Sequence, residues 1–305
     1  MKRMLIVLAL AVGLCLCGAW GQLDIGHGGH NINKNLIFPH LALGEGYTTA
    51  VVLMNPGQSP QAVVGVLYFF DAEGNPLVVN DGTQEADHFD VELVPHMIWY
   101  REFTPLDPAL VVGWALFQVE GNGNGGGNGN GNGNGHGNGN GHGNGDGGKM
   151  AWHGDPHEQV FGTLIYSHFS GDVLDTQVGV LGSHYRMGYF RGQAVPVLAG
   201  VNVNTGVALV NVWSEAIEVS LQLMDATGTL VAEATVALDP GHQQAQFVTE
   251  IFPDVDLTNF TGILEIRTGG EGLVVVGLLA SGPVLTSIPT VFIPDAQPAE
   301  GGKAQ

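Results

Sequence analysis

Period-two hydrophobic alternation, turn residues at short intervals and a set of internal matches predict an all-β chain. It should form two tandem antiparallel β-sandwich domains, immunoglobulin-like or jelly-roll-like in their connections. The alternation is clearest where Leu230, Ala232, Ala234, Val236 and Leu238 are interleaved with Glu233 and Thr235. It recurs where Val219, Leu221 and Leu223 are interleaved with Ser220 and Gln222. Strands with one buried face read this way because successive side chains point to opposite faces. Asn55-Pro-Gly57, Asp71-Ala-Glu-Gly74, Asn80-Asp-Gly82, Asp225-Ala-Thr-Gly228 and Asp239-Pro-Gly241 supply the turns between them. Helical signals are confined to Thr249–Phe252 and Arg101–Phe103, each long enough for one turn.

The internal matches set the domain plan. Thr49 to Asn55 matches Thr205 to Asn211, and the Asp-Ala-x-Gly turn at Asp71 recurs at Asp225. Pro39 and Pro196 open the two copies, and Pro95-His96 corresponds to Pro240-Gly-His242. Gly113 to Gln118 then matches Gly262 to Arg267, and Ser170-Gly171 matches Ser281-Gly282. Blocks kept in one order indicate a duplicated unit. The copies are placed at residues 36–191 and 192–294, preceded by a linker at 22–35 and followed by a polar tail at 295–305.

Gly121 to Gly148 is nearly all Gly and Asn and holds 16 of the 48 glycines. A tract that buries no apolar area and is costly to order is expected to be flexible. In the second copy only a short turn with Gly269, Gly270 and Gly272 occupies the matching place. The stretch 121–158 is therefore read as an insertion into a hairpin loop of domain one, a change that closure entropy tolerates.

The chain starts with Lys2 and Arg3, an apolar run from Met4 to Cys17, and small residues at Gly18, Ala19 and Gly21. That order predicts a secretory signal peptide over residues 1–21 and an extracytoplasmic protein: secreted, periplasmic or on the cell surface. Both cysteines fall inside the signal, so no disulfide is expected in the mature chain. The formal charge of −20 becomes about −22 once Lys2 and Arg3 leave. Such a surface repels phosphate backbones and argues against nucleic acid as a partner. Contact with a membrane is expected only through the signal during export.

These residues resemble a group of secreted bacterial proteins, functionally uncharacterised, that are built from tandem β-sandwich repeats. The resemblance rests on Phe38-Pro39, Thr49 to Asn55, the Asp-Ala-x-Gly turn, Thr249-Glu-Ile-Phe-Pro253 with Asp256-Leu257, and Leu285-Thr-Ser-Ile-Pro289. It implies an extracytoplasmic location and carries no catalytic residues. The first copy departs from the pattern through its Gly/Asn stretch, and through Trp99-Tyr-Arg-Glu-Phe103 where the second has the Thr-Glu-Ile-Phe run.

Candidate chemistry is sparse. His136, His142, His153 and His157, with Asp155, lie in or just after the Gly/Asn stretch and have the side chains of a zinc, nickel or copper site. His27 and His30 sit in a second Gly-rich stretch. The Gly and Pro between His153 and His157 exclude a helical metalloprotease pair. Asp81, Glu85, Asp87, Asp90 and Glu92 form one acidic segment, and Glu250, Asp254 and Asp256 another. Either offers oxygen ligands for calcium, though neither has EF-hand spacing. No cofactor is expected, with a divalent cation at one of these clusters as the alternative.

No Gly-x-Ser-x-Gly elbow and no Ser-x-x-Lys pair occurs, and Ser167-His168 and Ser183-His184 are strand neighbours facing opposite ways. No enzyme activity is predicted. Trp213, Trp152, Tyr185 and Tyr189 are assigned to loops or strand ends, where rings can stack on a sugar face or anchor a partner. Trp99, Trp114, Phe69 and Phe117 are assigned to the core. The expected function is structural or adhesive interaction with a cell-surface protein or polysaccharide. Carbohydrate or divalent-metal binding is the alternative.

Overall fold

The computed structural model describes residues 35–57, 60–120, 160–184, 192–269 and 272–293. Strands dominate among them. The first set is β1 (Leu36–Leu43), β2 (Tyr47–Met54), β3 (Val63–Asp71), β4 (Val79–Asn80), β5 (Glu85–Ala86) and β6 (His88–Leu93), then β7 (Ile98–Pro105), β8 (Val111–Val119), β9 (Phe161–Ser170), β10 (Val173–Leu181) and β11 (Ser183–His184). The second set is β12 (Gly192–Ala199), β13 (Val203–Asn211), β14 (Ile217–Asp225), β15 (Leu230–Leu238) and β16 (Gln243–Phe247). It continues through one helical turn, α1 (Val248–Ile251), to β17 (Phe260–Thr268), β18 (Leu273–Ser281), β19 (Val284–Ile288) and β20 (Val291–Ile293).

The first set pairs in the orders β11-β1-β8-β3-β6 and β10-β9-β2-β7-β4-β5. The second pairs as β15-β14-β17-β12 and β16-β13-β18-β19, with β20 on the free edge of β12. Its two sheets touch through one pair, Ala199 with Asn204. Apart from β4 and β5, each strand of the first set has a counterpart with the same neighbours in the second. Within each half the second strand lies beside the fifth and the third beside the sixth. That is the central pairing of an immunoglobulin sandwich. The outer strands differ from it: the first joins the sixth, and the seventh joins the second.

Shared sequence blocks occupy shared structural roles. Thr49 and Thr205, both fully buried, donate from Oγ1 to Ala42 O (2.8 Å) and Leu198 O (3.2 Å). Asn55 and Asn211 donate from Nδ2 to Leu93 O (2.9 Å) and Leu238 O (3.0 Å). A β-carbon on Gly113 or Gly262 would lie 2.0 Å from Phe70 O or Met224 O, so the strand crossing there requires glycine. The Asp-Ala-x-Gly turn closes identically, with Gly74 N–H on Asp71 O (3.1 Å) and Gly228 N–H on Asp225 O (3.0 Å). These residues recur because buried backbone groups need partners.

Three expectations need correction. The turn between β17 and β18 is not a hairpin, because β17 lies between β14 and β12 while β18 lies between β13 and β19. The same holds for β8 and β9, which flank the Gly/Asn stretch. Both pairs cross between facing sheets, and Phe117 of β8 and Leu164 of β9 share one core. Arg101–Phe103 lies within β7 and is not helical, since its alternation buries Trp99 and Phe103. The strand equivalent of Trp99–Phe103 is also not the Thr249 run but Gln244–Val248, because Ala50 pairs with Glu102 as Gly206 pairs with Phe247.

Each sandwich has a core, and the first one reaches Ala208, Val276 and Leu278 of the second half. The first is aromatic: the Phe69 and Phe103 rings are 4.6 Å apart and those of Phe89 and Phe103 5.0 Å apart. The second is aliphatic, built on Val197, Leu209, Val219, Leu221, Leu264 and Ile266. A third cluster joins them: Ile37, Phe70, Trp114 and Leu116 from the first sandwich meet Val210, Val212 and Val274 from the second. Trp114 is therefore buried outside its own sandwich core, on the opposite face of β8 from Phe117.

This seam explains why every residue of β1 is buried. One face of β1 fills the first core and the other packs on the second sandwich. At Pro39-His40 the strand bulges, two residues opposing one of β8, whereas β12 runs in unbroken register with β17. The bulge directs His40 into the seam. There the Gln243 side-chain amide nitrogen donates to Pro39 O (3.1 Å) and Gly113 O (3.1 Å) and lies 3.0 Å from His40 Nδ1. Backbone contacts also cross, with Gln243 N–H donating to Ala72 O (2.8 Å) and Leu285 N–H to Thr176 Oγ1 (3.2 Å).

Candidate functional site

Trp152, Tyr185, Tyr189, His136, His142, His153, His157 and Asp155 lie outside the described residues, as do His27 and His30. Among the described residues no group of three or more His, Cys, Asp or Glu side chains is placed to hold a metal ion. Three carboxylates of the acidic segments, Asp81, Glu250 and Asp256, bond nearby backbone N–H groups. Asp81 Oδ1 accepts from Thr83 Oγ1 (2.6 Å), Thr83 N–H (2.8 Å) and Gln84 N–H (2.9 Å), and Oδ2 accepts from Arg101. These bonds, led by the Thr83 hydroxyl, hold the Asp81 carboxyl down at about 2. Glu250 accepts from Phe247 N–H (2.8 Å) at the start of α1, and Asp256 from Thr258 N–H (3.0 Å).

The Ser-His pair on β9 is split as expected. Ser167 Oγ accepts from Gln177 Nε2 (2.9 Å), while His168 Nδ1 lies 3.2 Å from the Asp175 carboxylate. Asp175 in turn takes the Ser170 hydroxyl.

Trp213 stands at the mouth of a cleft. Its position is built by Asn211, which is fully buried. Asn211 Oδ1 accepts from Trp213 N–H (2.9 Å), while Nδ2 donates to Glu215 O (2.8 Å) and Leu238 O (3.0 Å). Gly272, with φ of 92°, passes so close that a β-carbon there would be 2.6 Å from Trp213 Cβ. Trp213 also packs on the seam cluster. It lines a cleft of about 490 Å³ with Glu215, Glu218, Ser220, Arg267 and Thr268. Arg267 is oriented by Glu265 Oε2, which accepts from Nε (3.2 Å) and an Nη (2.9 Å). An aromatic face beside carboxylates, a guanidinium and hydroxyls can seat the C–H face of a sugar and bond its hydroxyls.

The first copy makes the same turn without a ring. Gly57 N–H donates to Asn55 Oδ1 (2.9 Å), and the His96 ring fills the space that a side chain on Gly57 would need. The fold therefore does not demand a tryptophan at this turn.

A second surface was not anticipated from the sequence. On the outer face of the sheet formed by β9, β2 and β7, Phe161, Met54 and Ile98 stand side by side across three paired strands. Ile98 is 63% exposed, and Tyr100, two residues along the same face, 59%. Leu181, 75% exposed, extends the patch on β10 beside Thr163. A sheet face turned to water is normally polar, and a contiguous apolar patch there marks a contact surface. The trace in the sequence is local: β7 has apolar residues at both Ile98 and Tyr100, where solvent-facing positions are expected to be polar.

The fold and these surfaces define a class: an all-β protein of packed antiparallel sandwiches with an aromatic cleft on one half and an apolar outer face on the other. No protein-family model and no curated protein matches the chain. Among solved structures the chain is similar to vicilin from Capsicum annuum, at 9% identity over 86% of this chain and 76% of that one, with a TM-score of 0.21. A likeness at that level carries no argument about fold or function.

Proposed function

We propose that this is a non-enzymatic, secreted or cell-surface protein made of a duplicated β-sandwich, akin to the bacterial group it resembles, and that it acts by adhesive contact. The observation that carries this reading is the row Phe161, Met54, Ile98 with Tyr100 and Leu181, large apolar side chains exposed together on one outer sheet face. Burying such residues against a partner is worth about 1.5–3 kcal/mol each when complete, enough for a few of them to hold a contact.

The double variant Ile98→Ser, Phe161→Ser is expected to fold as the parent does. It should lose at least tenfold in retention on envelope preparations from the producing cell, measured by co-sedimentation. Equal retention of parent and variant would remove the patch from the function.

The cleft at Trp213 favours a second reading, polysaccharide binding, because the tryptophan is present only in the copy whose turn opens onto that cleft. Trp213→Ala is expected to weaken binding to a retained polysaccharide tenfold or more in affinity electrophoresis, with Trp99 and Trp114 untouched. Sugar affinity unchanged by that substitution would eliminate the cleft.

A further inference from the structure

The cleft at Trp213 has a control within the same chain. In the second half Ser220 of β14 lies opposite Arg267 of β17, as Val66 of β3 lies opposite Gln118 of β8 in the first. By the same register Glu218, opposite Ala237, takes the place of Val64, opposite Glu92. The sandwich therefore accepts valine at both β14 positions, and the fold calls for neither the carboxylate nor the hydroxyl. With Trp213, which stands where the first half has Gly57, these lining groups are peculiar to the second half.

The charges in the cleft do not cancel. Arg267 is matched by Glu265, whose Oε2 accepts from two of its nitrogens, so those two form a neutral pair. Glu215 and Glu218 both line the cleft and are both exposed. Neither carboxylate has a hydrogen bond or an ion pair among the described residues. The other described residue with a cationic side chain, Arg101, is bonded to Asp81 in the first half. An indole face beside two uncompensated carboxylates attracts a cation through the ring quadrupole and through charge, and repels an anion. The volume of about 490 Å³ falls in the range of about 300–1,000 Å³ usual for small-ligand sites.

We propose that the ligand of this cleft is a cationic saccharide, a chain of amino sugars with free ammonium groups. One pyranose lays its C–H face on Trp213 while its ammonium group faces the carboxylates of Glu215 and Glu218. This inference rests on the polysaccharide reading of the cleft and adds the charge of the sugar to it. Uronic acids and sulfated sugars are repelled by the same carboxylates and by the formal charge of −20 on the chain. An N-acetylated sugar keeps the stacking and loses the ion pairs.

The test is calorimetry on the full chain in mildly acidic, low-salt buffer, where the sugar amine is protonated. The probes are the tetramers of glucosamine, N-acetylglucosamine and galacturonic acid, with tetralysine as a non-sugar cation. Exposed ion pairs and a cation–π contact are each modest, so together they should favour the glucosamine tetramer about tenfold over its N-acetylated form. Added salt should narrow that gap, and galacturonic acid should give no heat. Glu215→Gln combined with Glu218→Gln should abolish the preference and leave affinity for the N-acetylated tetramer unchanged. Both side chains are exposed, and the backbone oxygen of Glu215 keeps its bond from Asn211, so the variant retains the fold. Trp213→Ala should weaken binding of both tetramers.

Equal affinity for the two tetramers, lost together in Trp213→Ala, would overturn this inference and leave the polysaccharide reading standing. Absence of heat from every saccharide would remove both. A preference that survives the double glutamine variant would also overturn the inference. So would tetralysine binding as tightly as the glucosamine tetramer, since the cleft would then respond to charge without reading the sugar.

Discussion

Replacing Trp114 by alanine is expected to destabilise the protein by about 3–5 kcal/mol and to let the two halves unfold in separate steps. The ring is 1% exposed and stacks on Phe70 with centroids 4.3 Å apart and planes at 21°. Its Nε1–H donates to Gly241 O at 2.9 Å, across the seam. Alanine would leave a cavity between the sandwiches and strip that carbonyl of its donor. Trp114 belongs to a cluster shared by the two halves, distinct from the cluster around Phe69, Phe89 and Phe103. Urea unfolding followed by fluorescence and by circular dichroism checks this, since probes that coincide in the parent should separate in the variant. Trp114→Phe keeps a ring in the cluster but removes the hydrogen bond and part of the buried ring, so a smaller loss of about 1–3 kcal/mol is expected. If alanine and phenylalanine cost the same, the seam is not held by packing of this ring.

The second large effect is acid-dependent. His40 titrates near 6.5 when unfolded, whereas burial takes it down to about 4 in the folded protein. Between those values the unfolded chain binds the extra proton, so folding stability falls as pH drops from about 6.5 to about 4. Above that window the contribution is constant. Across it His40 alone removes about 3 kcal/mol, because each tenfold difference in proton affinity between the folded and unfolded chain is worth about 1.4 kcal/mol. Carboxylates such as Asp81, Asp225 and Asp256, all held below their ordinary range by local hydrogen bonds, lose their own contribution at lower pH. The difference between the stability profiles of the parent and His40→Gln isolates the histidine. A flat difference from pH 4 to 7 would show that His40 is not buried neutral in the seam.

How legible the chain was depended on the range of the interactions involved. Leu230 to Leu238 and Val219 to Leu223 announced strands because the pleat imposes a two-residue period whatever the strand packs against. Asn55 and Asn211, Thr49 and Thr205, and Gly113 and Gly262 were visible as repeats. Each satisfies or approaches a backbone group of its own sandwich, so each must recur when the sandwich does. The helical turn at Val248–Ile251 was also signalled locally, whereas Arg101–Phe103 was misread because three residues contain too little period to separate a turn from a strand.

The candidate sites were less legible. Trp213 could be picked out as a ring in a loop, but the cleft beside it is made by β14 and β17, which only sheet pairing brings to the same place. The patch on β9, β2 and β7 assembles from residues as distant as Met54 and Phe161, and only β7, with Ile98 and Tyr100, carries a local trace of it. The acidic segment around Asp81 had a composition compatible with calcium. Only the geometry showed its oxygens committed to Thr83, Gln84 and Arg101.

The amino-acid sequence by itself determined the strand class and the turns, because these follow from local backbone preference and from side chains that serve neighbouring backbone. Tertiary structure alone decided that β8 and β9 face each other across a core and that Trp114 and His40 belong to a seam. Those facts depend on which sheet faces pack together, and burial between sheets is a non-directional force that leaves no fixed spacing in the chain.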